Sequence, residues 1–115
     1  MAIQTSLRPI ARKIAEAVEA YASSRGMARD DYALVGAWDE RTDGIRLVFG
    51  TDRKIDERQW YAGILQEIRR TFADHPWITM NISFVVENVQ NLDDVYLHFP
   101  SGEDEVDLTE LLERS

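Results

Sequence analysis

The chain has 115 residues, 44% of them apolar, which is the size and composition of one globular domain that folds without covalent staples. It contains no cysteine, excluding disulfides, thiolate metal sites and cysteine nucleophiles, and no apolar run approaches the roughly 18 residues that span a bilayer; with no secretory signal pattern at the start, a cytoplasmic protein without membrane contact is expected. The net charge of −8 is lopsided, because residues 1–92 carry 12 Lys/Arg against 13 Asp/Glu while residues 93–115 carry one against eight, an acidic tail that repels nucleic acid and attracts basic partners.

Leu7 to Arg25 places Leu7, Ile10, Ile14, Val18 and Tyr21 at steps of three and four, with alanines on the flanks. This predicts an amphipathic helix with Ser6 as its cap, Pro9 in the first turn and Gly26 just past its end. On its polar face, Arg12 and Glu16 are spaced for a surface pair.

Tyr32–Trp38 and Ile45–Phe49 then read as two strands joined by a polar turn, Leu34, Gly36 and Trp38 sharing one face of the first and Ile45, Leu47 and Phe49 one face of the second. Asp39, Glu40 and Asp43 in the turn are oxygen donors but lack the spacing of a calcium loop, so a solvated hairpin is the better reading.

Asp56 as N-cap, Gln59 three residues on and Ile55 opposite Trp60 mark the start of a second helix near Glu57. Tyr61, Ile64, Leu65, Ile68 and Phe72 form its predicted buried stripe, and Pro76 ends it. Gly63 inside this helix costs about 1 kcal/mol relative to Ala, a cost that points to close packing against a neighbouring element.

Beyond Pro76, Trp77 to Val86 alternates as a third strand, with Ile78, Met80, Ile82, Phe84 and Val86 on one face and Thr79, Asn81, Ser83 and Val85 on the other. Val95–Phe99 alternates as a fourth. In the tail, Asp107 and Glu110 form a capping box before Leu108, Leu111 and Leu112, predicting a short helix within the acidic segment 101–115. So short a helix requires a surface to dock on.

The expectation is a single α+β domain over residues 1–115, in the order α-β-β-α-β-β-α with the last helix short. An antiparallel sheet of about four strands, with the two long helices packed on one face, is the simplest arrangement. This order is similar to that of the small acidic chaperones of type III secretion, short of one strand of their pattern and with no motif residues in common. The resemblance implies a dimeric protein that binds unfolded effector segments. RNA-binding folds with helix and hairpin elements are similar in order too, but neither a GxxG clamp nor a paired aromatic signature is present.

The inventory for catalysis is thin. His98 with Glu87 or Asp93 is the pair available to a hydrolase-type general base, Ser83 lies in mid-strand rather than on a nucleophile elbow, and His75 sits at a helix end. A lone strand histidine is more often a surface or interface residue, so no catalytic residue, metal ligand or cofactor is assigned. Arg8, Arg12, Lys13, Arg53, Lys54, Arg58, Arg69 and Arg70 offer a local basic stripe, which the net charge opposes as a nucleic-acid site.

What remains is a non-enzymatic protein interaction module that self-associates as a homodimer through a sheet edge, a sheet face or the C-terminal helix. The residues expected to carry partner contacts are Trp77, Tyr96, His98, Glu103, Asp104, Glu105, Leu108, Leu111 and Leu112, the aromatics as anchors and the carboxylates for a basic partner. Trp38 and Trp60 are further aromatic candidates, with Trp60 read as a core residue. The alternatives are a small acidic inhibitor whose tail covers the basic cleft of a nuclease, or a protein like the secretion chaperones.

Overall fold

Helix α1 (Ala2–Ser24) leads through a short 3-10 turn into strands β1 (Tyr32–Asp39) and β2 (Gly44–Thr51), helix α2 (Glu57–Thr71) and strand β3 (Ile82–Asn88). A 3-10 helix (Leu92–His98) and the three-residue strand β4 (Glu105–Asp107) follow. These elements come from a computed structural model, which describes residues 2–39, 44–76, 80–98 and 105–107. Among the described residues no helix is long and apolar enough to cross a membrane.

The architecture is α+β around a mixed sheet in the order β3-β2-β1, with β4 adding three residues beside β1. β1 and β2 form the expected hairpin, paired from Tyr32↔Thr51 to Asp39↔Gly44. β3 departs from the all-antiparallel expectation, since it runs parallel to β2 from Ile45↔Ile82 to Thr51↔Asn88. The physical reason is α2, which carries the chain back across the sheet so that the next strand starts where β2 started. The strand also begins at Ile82 rather than at Trp77.

Two further expectations are corrected. The fourth strand expected at Val95–Phe99 is replaced over residues 95–98 by a 3-10 helix, Leu92–His98, and Phe99 lies outside the described residues. The fourth pairing comes instead from Glu105–Asp107, antiparallel to β1 at Val35↔Asp107. Positions 108–115, where the short helix is expected, lie outside the described residues.

α1 starts five residues before the predicted Leu7, so Ser6 does not cap it and Pro9 lies within the helix. Its C-terminal end is as expected, with Gly26 at a φ of 79°, in the left-handed region that suits glycine after a helix. Arg12 and Glu16 pair at 3.4 Å. At the start of α2 the Asp56 carboxylate accepts from the backbone N–H groups of Arg58 at 3.1 Å and Gln59 at 3.2 Å, which occupies the donors that would otherwise attract an anion.

Both helices lie on one face of the sheet, as predicted. Ile14, Val18 and Tyr21 of α1 and Trp60, Ile64 and Ile68 of α2 enclose Leu34, Leu47, Phe49 and Val86. Phe49 is stacked between Tyr32 at 5.0 Å and Trp60 at 5.6 Å, and Tyr21 meets Trp60 edge-on. The second face is also covered, which the sequence reading left open. Ala33, Val35, Ala37 and Val48 are roofed by fully buried Val95, with Val89, Leu92 and Tyr96 around it. A Cβ on Gly50 would strike the Val95 side chain, so glycine there sets how closely the 3-10 helix approaches.

Among the described residues the core holds one unsatisfied side-chain group. The Tyr32 hydroxyl is buried without a hydrogen-bond partner, and burial, helped by the Glu19 carboxylate and opposed by the Arg29 guanidinium, pushes its pKa up to about 12. Because the unfolded chain releases this proton near pH 10, the native state holds it longer, so full stability persists below pH 10 and falls by roughly 1.4 kcal/mol per unit as pH rises toward 12. Tyr32→Phe is expected to leave stability at pH 7 unchanged or raised by about 1 kcal/mol and to flatten this alkaline slope. Urea unfolding at pH 7 and pH 11 tests both, and a loss above about 1 kcal/mol at pH 7 would mean that the hydroxyl does have a partner.

Candidate functional site

The position of α2 decides what is left open. α1 packs on the α2 flank that carries Gly63, where a Cβ would fall on the Tyr21 ring. That rotation buries Trp60, Ile64, Ile68 and Phe72. It also turns Tyr61 out of the predicted stripe, to 40% exposure, and leaves Leu65 half-buried. Tyr61 stacks instead on Phe84 of β3 at 5.5 Å, so the α2 flank away from α1 hangs over the outer edge of β3.

That edge is unpaired among the described strands. The Asn81 carbonyl accepts from Ile45 N–H, and Val89 N–H donates to the Thr51 carbonyl, so odd-numbered residues of this strand direct their backbone groups to β2. By the alternation of a strand, Ile82, Phe84 and Val86 direct theirs outward. Sheet edges are ordinarily blunted by Lys, Pro or a bulge, whereas Ile82-Ser-Phe-Val-Val86 carries neither charge nor proline. Of the four large hydrophobics exposed among the described residues, three surround this strand: Met80 (82%) ahead of it, Val85 (45%) in its middle on the face away from the helices, and Tyr61 above it. An extended chain added here would gain backbone hydrogen bonds and cover Val85 and Tyr61.

The basic stripe read from the sequence is divided by the fold. Arg12, Arg53 and Arg70 are engaged by Glu16, Asp31 and Glu67. Arg58 and Arg69 are exposed and make no ion pair among the described residues. At 100° per residue Arg58, Tyr61, Leu65 and Arg69 fall within about 80° of one another around α2, on the flank above the β3 edge.

Of the residues expected to carry partner contacts, the structure describes the side chain of Tyr96 alone. Tyr96 is half-buried against the second core, which uses the ring for packing. His98 ends the 3-10 helix and Glu105 opens β4, and the side chains of both lie outside the described residues, as do Trp77, Glu103, Asp104, Leu108, Leu111 and Leu112 altogether. The catalytic pairing weighed for His98 assumed a strand at 95–99, an alternation the 3-10 helix removes; Asp93 there is exposed, its N–H bonded to the Asn91 side chain at 3.0 Å. Among the described residues no group of three or more His, Asp or Glu could hold a metal ion. The sequence reading missed Tyr61, Val85 and the outward amides of β3; the signal available was an uncharged, proline-free strand that follows a helical crossover. Compared with known proteins, the chain matches no family model, no curated protein and no solved structure.

Proposed function

We propose that this chain is a non-catalytic protein interaction module, and that its partner docks by adding an extended segment to the outer edge of β3. The observation that carries the reading is the uncharged edge itself, with exposed Met80 and Val85 and a helix flank positioned to close over the added strand. Strand addition combines sequence-independent backbone hydrogen bonds with contacts to alternate side chains; at this edge the outward backbone groups of Ile82, Phe84 and Val86 offer the first, and exposed Tyr61 and Val85 the second.

Amide hydrogen exchange tests the reading residue by residue. In the free monomer the N–H groups of Ile82, Phe84 and Val86 are expected to exchange faster than those of Ser83 and Val85, which bond to β2, and to become protected when a strand is added. Slow exchange of all three in a dilute monomer would show the edge already covered and would overturn the reading. Protection that grows with protein concentration, alongside a doubled mass by light scattering, would assign the edge to self-association.

A further inference from the structure

We infer that the segment docking on β3 is acidic at both ends of an apolar centre, with its carboxylates on the face toward α2. This inference rests on the docking edge proposed above and adds the chemistry of its occupant. The cations are Arg58 and Arg69, both exposed and without an ion pair among the described residues. Between them on the same flank lie Tyr61 and Leu65. Facing them, the helix side of β3 presents Ile82, Phe84 and Val86, so the described part of this groove holds two positive charges and no negative one.

The geometry sets the spacing. Arg69 lies eleven helical steps after Arg58, about 16 Å along α2. A strand covers that distance in about five residues, and same-face positions differ by even numbers, so carboxylates four to six apart reach the two guanidiniums. Same-face residues between them meet Tyr61 and Leu65 and are apolar, while the alternate central residue covers Val85 on the opposite face. Guanidinium–carboxylate pairing beside a partly desolvated strand gives direction and selectivity to a contact whose backbone bonds have none.

A second copy of the chain fits this groove worse. Pairing β3 with its symmetry mate runs the two α2 helices antiparallel, side by side, and brings Arg58 of each toward Arg69 of the other. Four like charges then face one another with no carboxylate from the described residues of either flank, an arrangement that costs affinity. Self-pairing of β3 is therefore disfavoured, and the occupant assigned is an acidic segment of another protein.

The probe is a synthetic peptide, Asp-Thr-Val-Val-Leu-Thr-Glu, beside a twin with Lys at both ends, titrated into the full chain by fluorescence anisotropy with amide shifts recorded in parallel. The acidic peptide is expected to bind at least tenfold tighter than its twin, to shift the amides of β3, and to weaken with salt. The double variant Arg58→Glu/Arg69→Glu, which alters only exposed side chains, is expected to reverse the preference. Equal binding of both peptides at β3 would overturn the acidic inference and leave the docking edge standing. Binding of neither, with the β3 amides unprotected at every concentration, would sink the docking edge as well. Shifts confined to β1 and β4, or a preference unchanged in the double variant, would also overturn the inference.

Discussion

Gly63→Leu is expected to lower stability by about 3 kcal/mol, a fall of roughly 10 °C or more in Tm. A Cβ at position 63 would already meet the outer ring atoms of Tyr21. That ring has little room to withdraw, being 9% exposed, set edge-on to Trp60 at 5.1 Å and covered by the Arg25 guanidinium at 5.1 Å. A leucine must therefore push the two helices apart, and with them the Trp60–Phe49 stack. Gly63→Ala separates this clash from backbone effects. Alone it should be destabilising, because the clash outweighs the gain in helix propensity of about 1 kcal/mol. In a Tyr21→Ala background it should stabilise by up to that amount, so the two sites couple in a double-mutant cycle. Thermal melts of the four proteins decide it, and a Gly63→Leu chain that melts with its parent would remove the close packing from the account.

The same contact explains what was legible in advance and what was not. Local signals identify α2 and the β1–β2 hairpin: the Asp56 side chain caps the helix it was read to cap, and Leu34, Ile45, Leu47 and Phe49 enter the core on the face their alternation assigns. The apolar arc of α2 is wider than the surface available to bury it. Which part faces inward depends on where α1 approaches, and Gly63 admits Tyr21 on one side only. Tyr61 and Leu65 thus move from the predicted stripe to the rim of the β3 edge. A glycine inside a helix signals close approach without naming the partner.

The remaining errors have two sources. Val95, Leu97 and Phe99 alternate like a strand, but Leu92 and Val95, three residues apart, share one side of a 3-10 helix, and so Val95 is fully buried while Leu97 is 79% exposed. Short apolar alternation does not separate these two conformations. The direction of β3, by contrast, was within reach, because a strand, a helix and a second strand in succession is the pattern of a parallel crossover. Taken at face value, that pattern puts β3 beside β2 with its far side exposed. The candidate docking edge follows from the direction of one strand, whereas the tail contacts rest on the charge run and on the spacing of Asp107, Glu110 and the leucines, in a segment mostly outside the described residues.

Asn88→Asp is expected to cost about 2 kcal/mol at pH 7, more than Asn88→Ala at about 1, although it is the smaller change in shape; Asn88 is exposed, so water tempers both losses. The Asn88 amide clasps the β2–α2 connection to the end of β3: its nitrogen donates to the Thr51 carbonyl at 2.9 Å and to the Arg53 carbonyl, and its oxygen accepts from Ile55 N–H at 3.3 Å. Thr51 is itself fully buried, with its hydroxyl donating to the Asp31 carbonyl at 2.6 Å and accepting from Arg53 N–H. Alanine deletes the clasp and lets water replace part of it. Aspartate keeps the acceptor but sets a carboxylate against two carbonyl oxygens, an electrostatic conflict alanine avoids. Protonation restores a donor, so the aspartate variant should recover toward the alanine variant as pH falls through the carboxylate range, a direction opposite to ordinary acid destabilisation. Urea unfolding of parent and both variants at pH 7 and pH 4 measures this. An aspartate variant as stable as the parent at pH 7 would show that the amide nitrogen makes neither bond, and that α2 is anchored to the end of β3 by packing rather than by the clasp.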